Sequence, residues 1–177
     1  MVKRDLVKYI SIILAFVLGI WALNTWVFET VTVTNQMSNT YLKKGDRVLV
    51  NMHASLHYGD FVLYKVEDKE YVGRIIGTSG DTVRYMDNIL YRNDEIVKES
   101  YLSVNTETED FQVRSLPNSE SEKIGKNQYL ILNDRRSNQA DSRTFGLVNR
   151  SQIIGKMTLR ILPVNKIGFV ETGMDEE

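Results

Sequence analysis

Apolar positions fall into two regimes, one continuous run near the N-terminus and many short alternating runs after it. Residues 9–28 carry no charge and a single amide, Asn24. A helix over that stretch rises roughly 30 Å, the thickness of a bilayer's hydrocarbon core. Bulky Trp21, Leu23, Trp26, Val27 and Phe28 continue to its end, where a cleavable signal would carry small residues. The pattern therefore predicts an uncleaved transmembrane anchor over 9–28. Lys3, Arg4 and Lys8 outweigh Asp5 ahead of it, which by the positive-inside rule leaves 1–8 in the cytoplasm and everything after the span outside.

From residue 29 onward the period is two. Runs at 47–50, 61–64 and 71–76 follow or precede Lys44-Gly-Asp46, Tyr58-Gly-Asp60 and Gly77-Thr-Ser-Gly-Asp81, the spacing of strands punctuated by turns. Met86-Asp-Asn88 between 82–85 and 89–91 predicts a hairpin. Runs at 129–132 and 155–162 are later strands, and no helical stripe of useful length follows Phe28. The pattern predicts a mainly β domain over 29–170. Residues 105–126 are polar and acidic, with Glu107, Glu109, Asp110, Glu120 and Glu122, and read as a surface loop or weakly structured insertion. The acidic tail 171–177 is expected to fray.

Composition narrows the functional classes. The chain has 177 residues and a net charge of -1, with no basic stripe interleaved with aromatics, so nucleic-acid partners are set aside. Zero cysteines exclude disulfides, thiolate metal sites and a cysteine nucleophile. His53 and His57 have i, i+4 spacing but sit between strands without a third ligand, and read as turn or surface residues. Asp134, Asp141 and Ser142 lack a neighbouring histidine and read as structural. No metal and no cofactor are expected.

Four segments then carry a specific pattern. The first is Gln36-Met-Ser-Asn-Thr-Tyr-Leu-Lys-Lys-Gly-Asp-Arg-Val-Leu-Val50, and the second Gly59-Asp-Phe-Val-Leu-Tyr64. The third is Gly73-Arg-Ile-Ile-Gly-Thr-Ser-Gly-Asp81, and the fourth Asn133-Asp-Arg-Arg-Ser-Asn-Gln-Ala-Asp-Ser-Arg-Thr-Phe-Gly146. In order and spacing these resemble the boxes of type I signal peptidases, the S26 family. That family's first box reads Ser-Met-x-Pro-Thr-Leu before Gly-Asp-x-Val-Leu-Val, its third Lys-Arg-Ile-Ile-Gly-x-Pro-Gly-Asp, and its fourth Gly-Asp-Asn-Arg-x-x-Ser-x-Asp-Ser-Arg-x-x-Gly. Met37, Thr40, Gly45 and Asp46 fix the register of the first box. The resemblance implies the signal peptidase I type antiparallel β fold behind one N-terminal transmembrane helix, with a lesser domain inserted over about 93–126.

It also implies a serine nucleophile in the first box and a buried, neutral lysine base in the third. A dyad of this kind works because desolvation lowers the lysine pKa until it can take the hydroxyl proton. At those positions stand Gln36 and Gly73, and Gln139 replaces the serine that supports the lysine. The matching frame remains by the resemblance: Arg74 is expected to pair with Asp134, Asp141 and Arg143 keep the ion-pair and hydrogen-bond frame of the fourth box, Gly77, Gly80 and Asp81 keep the turn, and Gly59, Asp60, Ser142 and Gly146 are structural residues of their boxes. Ser38 is the one candidate substitute nucleophile. A strand over 34–39 would put it on the face of Gln36, about 6.5 Å away, with Lys65 and Lys69 as distant candidate bases.

The sequence therefore reads as a non-catalytic signal-peptidase-like protein. A peptidase groove binds an extended chain by adding it as a strand, so Thr34, Asn35, Gln36, Ser38, Tyr71 and Gly73 are expected to line a peptide or partner cleft, with Gly73 opening space where the lysine stood. Dyad-lacking members resemble accessory proteins of Gram-positive pilus assembly. That resemblance implies a chaperone for a pilin subunit or pilin precursor, working beside the pilus sortase at the cytoplasmic membrane. Two alternatives remain, an atypical signal peptidase for a narrow set of pilin precursors and a decoy for signal peptides.

Overall fold

The computed structural model describes residues 2–103, 105–170 and 172, and at 2–6 and 20–25 the backbone alone. Helix α1 spans Val2–Val27. Its apolar side chains from Val7 to Leu18, Phe16 among them at 69% exposure, stand free all round the helix. Among the described residues no helix is long and apolar enough to cross a membrane. The side chains of Lys3, Arg4, Asp5, Trp21, Leu23 and Asn24 lie outside the described set, as do Glu171 and 173–177 of the expected tail. The helix ends at Val27, and Phe28, the last residue of the segment expected over 9–28, pairs with Asn51 in a sheet.

The strands in chain order are β1 Phe28–Thr32, β2 Arg47–Asn51, β3 Phe61–Val66, β4 Lys69–Gly77, β5 Val83–Met86 and β6 Ile89–Arg92. They continue with β7 Glu95–Val97, β8 Phe111–Gln112, β9 Gln128–Leu132, β10 Val148–Asn149, β11 Ile153–Leu162 and β12 Gly168–Phe169. A single helical turn, α2 Ser142–Phe145, lies between β9 and β10. All pairings between them are antiparallel. The large sheet runs β1-β2-β11-β3-β4-β9-β10, with β12 on β11.

Alternation along β3 shows how the core is divided. Phe61 and Leu63 enter a cluster with Val31, Val48, Val50 and Val72, while Val62 and Tyr64 face the other way and pack with Ile75, Ile131 and Ile153. The period-two reading of β2, β3, β4, β9 and β11 therefore holds, each strand burying side chains by the pleat.

The smaller sheet, β7-β6-β5-β8, is built from two hairpins and a return strand. Asp87 and Asn88 (φ 51° and 63°) make the predicted β5–β6 turn, and Asn93 and Asp94 (φ 53° and 66°) turn β6 into β7. Two consecutive positive φ values suit the twist of a two-residue hairpin, and Asn and Asp tolerate them best after glycine. The lesser unit thus begins at Val83, ahead of the expected boundary at 93. Nor is 105–126 weakly structured throughout, since Val113, Leu116 and Ile124 pack with Val83, Tyr85, Leu90 and Tyr101 against Ile76, Leu130 and Leu132 of β4 and β9.

Candidate functional site

Residues 35–37 form a turn after β1, not the strand expected over 34–39. The Ser38 hydroxyl donates to the Asn35 carbonyl at 2.8 Å, and the Thr34 hydroxyl accepts from the Met37 amide at 3.4 Å. Such side-chain bonds to nearby backbone favour a turn over a ladder. Gln36 is therefore exposed while Ser38 and Met37 are buried, so the expectation that 36 and 38 share a strand face is corrected. Ser38 also accepts from Arg135 Nη2 at 3.1 Å. The basic group that contacts it among the described residues, Arg135, cannot take a proton, since a guanidinium stays protonated. Asn39 Oδ1 accepts from the Tyr41 and Leu42 amides, Thr40 is exposed, and Gly45 turns the chain so that Asp46 caps the Lys43 amide at 2.9 Å. Arg160 reaches Asp46 at 3.3 Å.

Gly73 lies in β4 opposite Val62 of β3. A Cβ built there would meet Ile131 Cγ2 at 2.5 Å and the Leu132 carbonyl oxygen at 3.1 Å. The space expected to be open is filled by Ile131, which is fully buried. Tyr71 packs its ring on Phe145 at 4.9 Å and Tyr64 at 5.7 Å. Over 69–73, β4 pairs with β3 only, because β9 joins it from Arg74 onward. Gln139 is exposed, its carbonyl accepting from the Asp141 amide at 2.8 Å.

The expected frame is in place. Arg74 is fully buried, its Nε and Nη2 on the two oxygens of Asp134 at 2.9 and 2.7 Å and its Nη1 on the Gly59 carbonyl at 3.0 Å. Its guanidinium carbon lies 4.3 Å from the Phe61 ring centre and 3.8 Å from that of Tyr101. The two-pronged geometry and the aromatic faces suit a planar guanidinium, which a lysine could not match. Asp141 holds Arg143 at 2.7 Å and accepts from the Asn133 and Arg143 amides, and Ser142 Oγ accepts from the Ile131 amide at 3.0 Å. Gly146, at φ 82°, has no room for a side chain beside the Pro117 carbonyl. Asp60 pairs with Lys156 at 2.7 Å.

Gly77 lets Ile124 and Val83 close on β4, where a Cβ would meet them at 2.5 and 2.8 Å. Gly80, at φ 92°, completes the turn that returns Asp81 Oδ2 to the Thr78 amide at 2.8 Å. Burial works to raise the Asp81 pKa, but the Thr78 amide, Asn93 and Arg92 outweigh it and hold the carboxyl below its ordinary value. Arg92 sits 2.9 Å away.

The turn at 34–38 is tied to the fourth box, through Arg135 on Ser38 and through Asn138 Nδ2 on the Gln36 carbonyl at 3.4 Å. Among the described residues no hydrogen bond or ion pair joins that turn directly to Tyr71 or Gly73. Sequence reasoning missed three residues here. Arg136, buried, holds Glu99 and donates to the Asn133 carbonyl at 3.1 Å. Glu99 Oε1 also accepts from the Tyr85 and Tyr101 hydroxyls, both at 2.6 Å. Burial, foremost, holds both phenols well above their usual pKa. Arg135 stands where the quoted fourth box carries asparagine, a signal available in the sequence. His57 lies 3.8 Å from Asp60, and His53 packs on the Trp26 ring at 4.6 Å. Among the described residues no three His, Cys, Asp or Glu groups are placed to hold a metal.

The family model described as signal peptidase, peptidase S26, matches residues 4–162. An inactive signal peptidase IA of Staphylococcus aureus is 36% identical over 168 residues, covering 92% of this chain and 95% of that protein. A signal peptidase IB of Staphylococcus aureus is 34% identical over 182 residues, covering 94% and 95%. The crystal structure of a signal peptidase I from Enterococcus faecalis superposes with a TM-score of 0.54 at 29% identity, covering 59% of this chain and 98% of that one. With the antiparallel sheets, the turns and the buried Arg74–Asp134 pair all in place, this chain belongs to the peptidase S26 family of signal peptidases.

Proposed function

We propose that this chain is a non-catalytic, membrane-anchored member of its family that serves as a chaperone or accessory factor in sortase-dependent pilus assembly. One observation carries the non-catalytic part: Ile131 fills the position from which a lysine at 73 would reach, while the residue at the nucleophile position is an exposed glutamine. An amide is not an acyl acceptor and glycine has no base, so the proton-transfer step has neither end. Ser38 does not replace them, being turned onto Asn35 and Arg135. The inactive relative at 36% identity supports the same reading. The helix exposes apolar side chains from Val7 to Leu18, interrupted only by Lys8 and Ser11, and this supports the anchor, since such a surface needs an apolar medium to cover it.

A cleft without a nucleophile still binds. Among the described residues the β4 edge over 69–73 has no strand on one side, which supports addition of an extended segment as a strand. The pilin client follows from the resemblance of dyad-lacking members to pilus accessory proteins. Deleting the gene and blotting surface proteins tests it: lost high-mass pilus ladders with normal precursor cleavage are expected, and accumulated precursors would contradict it. Similarity to a signal peptidase IB favours one second reading, an atypical peptidase for a narrow precursor set, which that accumulation would support.

A further inference from the structure

Beside the rebuilt first box lies a polar cavity of about 500 Å³, between the turn at 39–43, the fourth box and the loop around 103–107 of the smaller unit. Its walls include Asn39, Thr40, Lys43, Arg135 and Ser137. Two of these, Lys43 and Arg135, are cations with no acidic partner among the described residues. Lys43 Nζ donates to the Asn39 carbonyl at 3.0 Å, and Arg135 spends one donor on Ser38. Among the described residues neither forms an ion pair, whereas the buried Arg74 and Arg136 are both matched by carboxylates. A guanidinium has five donors in a fixed fork, so Arg135 keeps a pair free.

The acids at the cavity do not cancel this charge. Asp134 is committed to Arg74 at 2.7 Å. Glu107 also lines the cavity, is exposed, and has no ion-pair partner among the described residues. We propose that this cavity is a carboxylate-binding subsite, in which Arg135 and Lys43 take an acidic side chain of an extended client peptide. The proposal rests on the non-catalytic, peptide-binding reading and adds to it a charge preference. Arg135 grips a planar carboxylate through two parallel N–H bonds, Lys43 adds a second positive charge, and Ser38 holds the Arg135 side chain in place. Glu107 competes from within.

The test uses the full-length protein in detergent micelles and fluorescein-labelled decapeptides, acetylated and amidated, with a central Glu-Glu or Gln-Gln pair. Fluorescence anisotropy should show the Glu peptide binding about tenfold more tightly, as one charge-assisted pair can supply, with the difference shrinking as salt is added. Arg135→Gln, which keeps a donor for Ser38, should bring the two peptides to equal affinity, and Glu107→Gln should widen their difference. Equal binding by the unaltered protein, binding of neither peptide, or a preference that survives Arg135→Gln would overturn the subsite. So would tighter binding of the Gln peptide when its C-terminus is left free, since that would assign the cavity to a chain end. Cleavage of either peptide would contradict the non-catalytic reading, and the Glu-over-Gln comparison would still decide the subsite.

Discussion

At the smallest scale, Gly73 and Ile131 are fitted to one another. A side chain at 73 begins 2.5 Å from Ile131 Cγ2, closer than bonded-chain packing allows, and the surrounding cluster of Val62, Tyr64 and Ile75 is fully buried. Gly73→Lys is therefore expected to destabilise the protein by about 1–3 kcal/mol through overpacking. Adding Ile131→Ala should recover part of this, so that the double variant is more stable than the sum of the singles. Denaturant titration of the four proteins measures it, and strict additivity would mean the clash is relieved elsewhere. The glycine at the expected base position was legible in the sequence, but the isoleucine beside it was not, because its proximity comes from pairing β4 with β9 across more than fifty residues of chain. Arg135 was legible only as a departure from a pattern, and its contact with Ser38 only in three dimensions.

Among the elements, the long strands were readable from alternation because each has at least two residues on a buried face. β1, β7, β8, β10 and β12 were not read, the last three of them two or so residues long and without a period to detect. The turn at 34–38 misled for a different reason: its polar residues satisfy one another locally, which no periodicity reveals. The turn after β4 offers a pH test. Asp81 is held below its ordinary pKa of 3.8, so its contribution to stability is complete above that value and is lost as pH falls through the depressed one. Asp81→Asn should cost about 1–3 kcal/mol near neutral pH, through bonds to Thr78, Asn93 and Arg92. The gap between variant and unaltered protein should close below pH 4, and a pH-independent gap would assign the loss to packing.

For the molecule as a whole, the fourth box is the joint between the two sheets. Arg74 links β4 to Asp134 and to the Tyr101 ring, and Arg136 links the same loop to Tyr85 and to Glu99, which in turn accepts from Tyr101. Burial works to lower the Arg136 pKa, but Tyr85, Glu99 and Tyr101 outweigh it and raise it, so the guanidinium stays charged in the interior. Removing its acidic partner leaves a buried cation uncompensated. Glu99→Gln should cost about 3–5 kcal/mol and loosen the smaller sheet first, with amide exchange accelerating over 83–97 while β2 and β3 stay protected. Uniform acceleration would show that the two sheets open together.

The same joint bears on the proposed function, since a scaffold this tightly tied would hold the proposed binding surface in shape whether or not the chain performs chemistry. Cleavage decides between the two. Full-length protein in micelles, incubated with a precursor that carries an intact signal peptide and analysed by mass spectrometry, should yield no cleaved product under conditions in which the Staphylococcus aureus signal peptidase IB cleaves it. A product at the precursor's cleavage site that disappears in Ser38→Ala would show that this chain is a working peptidase and would contradict the account.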